Sequence, residues 1–547
     1  MKALLSYVKQ NRFEVVFFSI LFLFSVFLFW KTFRLDQDGN ILIATKVWSD
    51  FSATIPLIRS FSFGSNFPPE YPIFAGPPIK YHFVFFALVG LIEKTGIPLH
   101  FALNGLSIVS FFSLLIFIYI LAKTVFKKKA IGYLSVILFL FNSSFSFLEF
   151  FKRSPLSSKT ILEIIQNKNF PSFGPYDGKT VSAFWNLNIY TNQRHLAFAY
   201  AAFLFLIYVI YLSAQKPKRL TLNKSLLLGL LIGLFPLIHF PVFGMMGMTL
   251  ILSVALFPKI GKKVILIGLI AIIIAAPQIL YMYLQPQGTG GITFRPGYLV
   301  ENLNLVNFIS YWFLNLGLTL ILAPLGFILA KREQRKIFIP FLILFILGNL
   351  FQFSVEIAAN HKFFNLSTIG LNMFTAYFIY KIWTINKLGK VSSLLLILPL
   401  TLSGLIDLFP IINDTHMTVE DIPNNKTAYF ILRNTPKDSA FLNATYLYDP
   451  ASLAGRNIYL GWPYFAWSAG YNSTTRYNKM KNILSASDKN IACQALLKEG
   501  LNYLETQNPT SLEGITVNHS FYDDNFIKIF YDKDKQISIY DIDLSCM

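Results

Sequence analysis

The segment Arg34-Leu35-Asp36-Gln37-Asp38-Gly39-Asn40 sets two carboxylates two residues apart among turn-forming residues. Such a pair in an irregular loop can flank one hydroxyl or one divalent cation. As a general base, one of the two would accept the proton of an attacking hydroxyl. The same residues also make an ordinary solvated turn. They match the start of a calcium loop, but the later ligands of an EF-hand are missing. Downstream come Trp48-Ser49-Asp50, Asn66-Phe67-Pro68-Pro69-Glu70-Tyr71-Pro72 and Gly76-Pro77-Pro78-Ile79-Lys80-Tyr81-His82. Prolines at this density hold a loop extended. Asp50, Lys80, Tyr81 and His82 are therefore candidate substrate contacts on a stiff loop.

A second set of polar residues is cationic: Arg194, His195, Arg295, His361 and Lys362, with Glu356 close to the last two. Arginine grips phosphate in a bidentate way, so these are candidate contacts to a phosphorylated substrate. Each also reads as a side chain snorkelling at a membrane interface. His239, between Pro236 and Pro241, is a further candidate or a packing histidine. Gly455-Arg456-Asn457-Ile458-Tyr459-Leu460-Gly461-Trp462 and Trp467-Ser468-Ala469-Gly470-Tyr471, with Arg476, group aromatics that stack on sugar rings or pack a core. The chain has two cysteines, Cys493 and Cys546. They show no zinc spacing and are a candidate disulfide of an exported compartment.

The elements that must position these residues are membrane helices. Hydrophobic residues make up 54% of the 547 and charged residues 14%, against about 25% charged in soluble domains. Apolar runs long enough to span fall near 13–30, 98–122, 130–148, 196–214, 225–239, 241–257, 263–284, 305–330, 337–355, 363–381 and 391–412, so about eleven spans are expected. The pair 225–239 and 241–257 is short and also fits a re-entrant hairpin. The first run is longer than a signal-peptide core and lacks a cleavage site, so it is expected to stay as an anchor.

Net charge is +19, but the cations sit in short clusters between apolar runs, which excludes a nucleic-acid face. The clusters are Lys2, Lys9 and Arg12; Lys127 to Lys129; Lys216, Lys218, Arg219 and Lys224; Lys259, Lys262 and Lys263; Lys331, Arg332, Arg335 and Lys336; Lys381, Lys387 and Lys390. With the N-terminus cytoplasmic, every inner loop is basic, and an odd number of spans leaves the C-terminus outside. Long segments at 31–97, 149–195 and 285–304 then lie on the outer face, where loops carry function. The apolar stretch Phe83–Ile92 is too short to span and reads as a helix at the interface.

The fold class is thus a membrane all-α polytopic bundle over 1–412, followed by a small soluble α/β domain over 413–547. In that domain the pattern predicts helices near 425–433, 476–485 and 489–499. Strands are expected at Ala440–Asn443 and near 501–505, 526–531 and Ile537–Ile542.

The order of a basic N-terminus, one span, an outer loop with an acidic motif, a Pro-Pro–aromatic stretch, a surface helix and a span ending in a basic loop resembles the GT-C superfamily of polytopic glycosyltransferases. Protein O-mannosyltransferases and aminoarabinose transferases are among its members. The likeness is most specific over about residues 13–150 and covers the rest of the membrane part as architecture only. It implies transfer of a sugar from a polyprenyl-phosphate donor to a glycan, lipid or protein acceptor outside the cytoplasm, with inversion. Asp36 or Asp38 matches the family's general base. Some members bind a divalent metal such as Mg or Mn with these acids. The Trp-Trp-Asp-type motif of oligosaccharyltransferases has no match here, which argues against N-glycan transfer. The readings that compete are a polytopic transporter or flippase, which would place ionisable residues or broken helices at mid-bilayer, and a non-catalytic envelope-assembly protein.

Overall fold

Length and composition make the helices here, because a backbone in hydrocarbon must satisfy its own hydrogen bonds. The computed structural model describes residues 11–172, 180–283 and 291–546. The basic Lys2 and Lys9, and parts of the 149–195 and 285–304 segments, lie outside the described residues. Two compact units emerge. One holds the chain up to Thr32, Asn104–Ala275 and Ile292–Thr415; the other holds Phe33–Leu103, Ala276–Gly291 and the chain from His416.

In the first unit, each of the eleven expected spans falls on a helix, but fewer of these helices can cross a bilayer. Among the described residues six are long and apolar enough: Arg12–Thr32, Leu99–Phe126, Leu196–Gln215, Phe235–Leu256, Pro258–Met282 and Lys387–Ile412. A seventh candidate, Leu305–Leu316 with Thr319–Leu329, is bent by 86°. The bend sits at Gly317, whose φ is +54° and where a Cβ would lie 1.7 Å from the Ser143 carbonyl oxygen. Lys129–Leu140 and Leu222–Gly233 have 12 residues each. At 1.5 Å per residue they reach about 18 Å, short of the roughly 30 Å hydrocarbon core. Arg332–Leu350 opens on four charged residues in five, and His361–Trp383 is interrupted by polar side chains. The expectation of about eleven spans therefore reduces to six or seven on length and apolarity.

Lipid-facing and protein-facing surfaces separate clearly. Phe13, Val16, Ile20 and Leu23 of the first helix are exposed, as hydrocarbon solvent allows. His361–Trp383 is the opposite, buried along almost its whole length. It packs against Lys129–Leu140, Thr319–Leu329, Arg332–Leu350 and Lys387–Ile412. Small residues permit this approach: a Cβ on Gly326 would meet the Phe374 carbonyl oxygen at 2.1 Å, and one on Gly370 the Phe341 ring at 2.4 Å. Polar bonds cross between helices, as in Asn372 Nδ2 to the Leu138 carbonyl (3.1 Å) and Ser367 Oγ to the Phe341 carbonyl (2.8 Å). Elsewhere in the unit, Glu14 is buried with Lys123 at 2.7 Å, Lys129 at 2.6 Å and the Tyr119 hydroxyl.

The helix Phe235–Leu256 kinks at His239 (φ −164°, ψ +92°). Pro241 accounts for the kink, since it removes a helical donor and crowds the preceding turn.

The second unit contains the sheets. Phe33–Leu35 and Ile41–Ala44 form a hairpin, and His416–Val419 adds antiparallel to Ile41–Ala44, with Ile41 opposite Val419. The long segment at 31–97 carries a helix not expected there, Trp48–Ser62, the helix expected over Phe83–Ile92, observed at Val84–Lys94, and a hairpin of Glu70–Tyr71 with Phe74–Pro78. Ser and Thr around Pro56 concealed the first of these helices in the sequence.

The C-terminal sheet has the order Ile527–Asp532, Ile537–Asp541, Tyr503–Gln507, Ala440–Leu442, Asn457–Ile458, with the last two neighbour pairs parallel. Helices Lys426–Asn434, Ser473–Leu484 and Lys489–Lys498 accompany it. Asn425 and Asp488 cap two of them by accepting from backbone N–H groups. Cys493 and Cys546 are joined by a disulfide across 53 residues. Glu505 is fully buried near Asp449, whose Oδ2 accepts from the amides of Ala444 and Thr445. Burial, with the adjacent Asp449 carboxylate, pushes Glu505 well above the usual range.

Candidate active site

The acidic motif forms the tip of the first hairpin. The Asp36 amide donates to the Asn40 carbonyl at 2.9 Å, and Gly39 supplies the left-handed residue (φ +87°) that closes the turn. Asp36 braces this turn with both oxygens. Its Oδ1 accepts from the amides of Asp38 (2.9 Å) and Asn40 (2.8 Å), and its Oδ2 accepts from Asn40 Nδ2 (3.1 Å). Slight burial would raise Asp36, but the hydrogen bonds from Asn40, Asp38 and Gly39 outweigh it and hold the carboxyl below the ordinary range. Asp38 is exposed. Asn424, one turn past the paired strand His416–Val419, donates to the Asp38 carbonyl (2.6 Å) and to Asn40 Oδ1 (2.9 Å).

Asp50 lies in the first turn of Trp48–Ser62, where the helix dipole favours an anion. Three tyrosines feel its charge. Burial, reinforced by Asp50, pushes up Tyr81 and Tyr448, and for Tyr71 the neighbouring Tyr81 and Tyr471 add to both. The Tyr448 hydroxyl donates to the Trp48 carbonyl, with ring centroids 5.4 Å apart. Tyr81 stacks on buried His82 at 3.9 Å. The Lys80 amide donates to Tyr471 Oη (2.8 Å), and the Lys80 ammonium stands 5.5 Å from the Tyr471 ring centre, with burial lowering its pKa. The second unit thus holds Asp36, Asp38, Asp50, Lys80, Tyr81 and His82.

Two arginines tie segments of this unit together: Arg59, which carries no distinct sequence signal, and Arg476, which the sequence groups with the aromatic block. Arg59 is buried between Glu93 (Nε to Oε1 3.1 Å) and Asp421 (Nη2 to Oδ2 2.6 Å), joining both helices of the 33–103 segment to the residues before Asn424. Burial raises Glu93, and Arg59 and Ser62 oppose that rise. Arg476 places its guanidinium 3.6 Å from the Phe74 ring centre and donates to the carbonyls of Ala75 (2.7 Å) and Tyr459 (3.0 Å). In the sequence Arg59 stands out only as a lone charge inside an apolar run, and Glu93 only as the acid beside Lys94 that ends the stretch Phe83–Ile92.

The cationic candidates fall in the first unit. Arg194 is fully buried. It donates to the Thr191 carbonyl (2.6 Å), Asn104 Oδ1 (3.2 Å) and Thr32 Oγ1 (2.9 Å), and lies 4.5 Å over the Phe29 ring. His195 and His239 face each other with ring centroids 5.2 Å apart. Burial and the Lys362 charge push His195 down to about 3. His361 stacks on Phe184 at 4.9 Å and bonds Gln193 at 3.2 Å. Lys362 feels Glu356 as an opposite charge. Arg295 is exposed and donates to Gln352 Oε1 at 2.9 Å. The same unit encloses a cavity of about 30 Å³ lined by Asn142, Asn186, Asn315, Asn365 and Asn372, room for a water or two. Asp407 is fully buried beside it, 3.4 Å from Asn142 Nδ2.

No family model and no curated protein matches this chain. Among solved structures, it is similar to the oligosaccharyltransferase of Archaeoglobus fulgidus tethered with an acceptor peptide, at 12% identity and TM-score 0.44, covering 98% of this chain and 74% of that one. The archaeal oligosaccharyltransferase from the same organism, in complex with an inhibitory peptide and a dolichol-phosphate, gives 10% identity and TM-score 0.41, with coverage of 98% and 74%. The arabinofuranosyltransferase from mycobacteria gives 12% identity and TM-score 0.41 over 96% of this chain and 40% of that one.

Proposed function

We propose that this chain is a multi-pass membrane glycosyltransferase that moves a sugar from a polyprenyl-phosphate donor to a hydroxyl of an extracytoplasmic acceptor, inverting at the anomeric carbon. The observation that carries the reading is the acidic turn: one exposed carboxylate, Asp38, on a hairpin tip that Asp36 locks with both of its oxygens. The positive-inside distribution of charge supports a cytoplasmic N-terminus and an outer site, with 1–412 as the membrane domain and 413–547 as the outer domain.

In this mechanism Asp38 accepts the acceptor's hydroxyl proton as the oxygen attacks the anomeric carbon. The bond to the lipid phosphate breaks with its electron pair staying on phosphate. Asp36 positions Asp38. Asp50 with its tyrosines and Lys80, Tyr81 and His82 bind acceptor or sugar hydroxyls. Arg194, whose guanidinium is spent on protein carbonyls and side chains, holds the start of its helix in place. The family's divalent metal fits poorly at Asp36, where three of about four lone-pair positions are filled, so no step runs through one.

The test is transfer from polyprenyl-phosphate sugars by the purified protein. Asp38→Asn is expected to lower kcat by about 10²–10⁴-fold, the usual worth of a general base. Asp36→Asn should lose less. If neither change costs as much as about tenfold, the acidic turn is not the catalytic site. The kink at His239 and the 86° break after Leu316 favour a second reading, a transporter or flippase. Lipid-linked sugar crossing vesicles at an unchanged rate in the double Asp variant, with no transfer, would establish that reading instead.

A further inference from the structure

The helix Leu196–Gln215 carries His195 at one end and runs at the other into a basic turn, Lys216 to Lys224, with four cations in nine residues. No Asp or Glu occurs anywhere between Asp177 and Glu301. Among the described residues, no carboxylate pairs with Arg219 or Lys224, and both are exposed. The turn itself is braced by hydrogen bonds. Lys263 Nζ donates to the carbonyls of Pro217 (3.2 Å) and Leu220, and Thr221 caps the next helix by accepting from the Lys224 amide.

That next helix, Leu222–Gly233, spans about 18 Å. Gly229 and Gly233 let it lie against Ile270 and Ile274 of the helix Gly261–Tyr283, where a Cβ would come within 2.8 Å and 2.6 Å of those side chains. A pocket of about 530 Å³ is left between the helices on either side of the turn. Its walls are apolar, from Phe205, Val209 and Leu212 on one helix and Leu227, Leu228 and Leu231 on the other, and Arg219 and Lys224 line its turn end.

We propose that this pocket binds one anionic phospholipid of the surrounding bilayer. Its phosphate sits between Arg219 and Lys224, and an acyl chain fills the apolar walls. The charge complementarity is direct, since a guanidinium and an ammonium with no protein counterion face a wall that only hydrocarbon can wet. Twenty helical residues separate this end from His195, about 30 Å along the axis. The bound phosphate is therefore not the one whose bond is broken in the reaction proposed above, and the site stands whether or not that reaction is correct.

Native mass spectrometry of the full chain from nanodiscs tests it, using phosphatidylglycerol, phosphatidylcholine and polyprenyl phosphate as probes. One phosphatidylglycerol per chain should survive, in preference to phosphatidylcholine. The Arg219→Gln/Lys224→Gln protein should retain about tenfold less of it, or lower still. Leu228→Trp, which fills the pocket and leaves the charges, should also lose it. Equal retention of phosphatidylcholine, or undiminished phosphatidylglycerol in both variants, overturns the site. Displacement of phosphatidylglycerol by an equal amount of polyprenyl phosphate overturns the choice of a bilayer phospholipid.

Discussion

Asp36 and Asp38 differ in what their oxygens are doing, and that difference separates their roles. A carboxylate whose oxygens already accept three hydrogen bonds has its basicity lowered, whereas Asp38 keeps its side chain in solvent. The buried Arg59 sets a second residue-scale expectation. Replacing it with Met leaves the buried carboxylates of Glu93 and Asp421 without their cationic partner, which typically costs about 3–5 kcal/mol. Thermal unfolding of the purified protein should show that loss, and Glu93→Gln should lose less because a neutral amide still bonds Ser62. Glu505 provides a pH signature. Its pKa is raised in the fold, so its contribution is fully present below the unfolded value of about 4.3 and disappears as pH rises through the higher folded value. Melting temperature should therefore fall from pH 5 to pH 8, and Glu505→Gln should flatten that slope. A slope unchanged by the substitution would assign it to other groups.

Helices and strands carry their own consequences. Gly326 touches the backbone of the buried helix His361–Trp383, so Gly326→Val forces the two apart. Overpacking of this kind costs about 1–3 kcal/mol and should appear as reduced monodisperse yield in detergent. The disulfide closes a 53-residue loop in the C-terminal sheet region. By chain entropy this is worth about 4 kcal/mol, and reduction under native conditions should lower the unfolding midpoint accordingly. The hairpin of Phe33–Leu35 with Ile41–Ala44 depends on His416–Val419 as its third strand. Asn424→Ala, just beyond that strand, should slow transfer without changing donor binding, because it loosens the acidic turn and touches no substrate.

At the scale of the whole chain, the hydrophobic content, the bias of basic residues to alternate loops and the switch of pattern near 413 are all local quantities. Each follows from the transfer energy of side chains a few residues apart, so membrane character and the C-terminal sheet elements were legible. Span length was less so. Long apolar runs look alike whether they form one straight helix, as in Leu196–Gln215, or break at a glycine held left-handed, as at Gly317. What no local pattern carries is which polar group meets which. Asn424 and Asp38 stand 386 positions apart, and Arg59 and Asp421 stand 362 apart. Only the folded chain decided that Asp36 is committed to its turn, that Arg194 is spent inside the protein, and that Asp50 faces tyrosines from three segments. The sequence by itself determined where charge and hydrocarbon lie along the chain, because those depend on solvent transfer. Tertiary structure decided which charges remain available for chemistry, because hydrogen-bond partners are set by proximity in space.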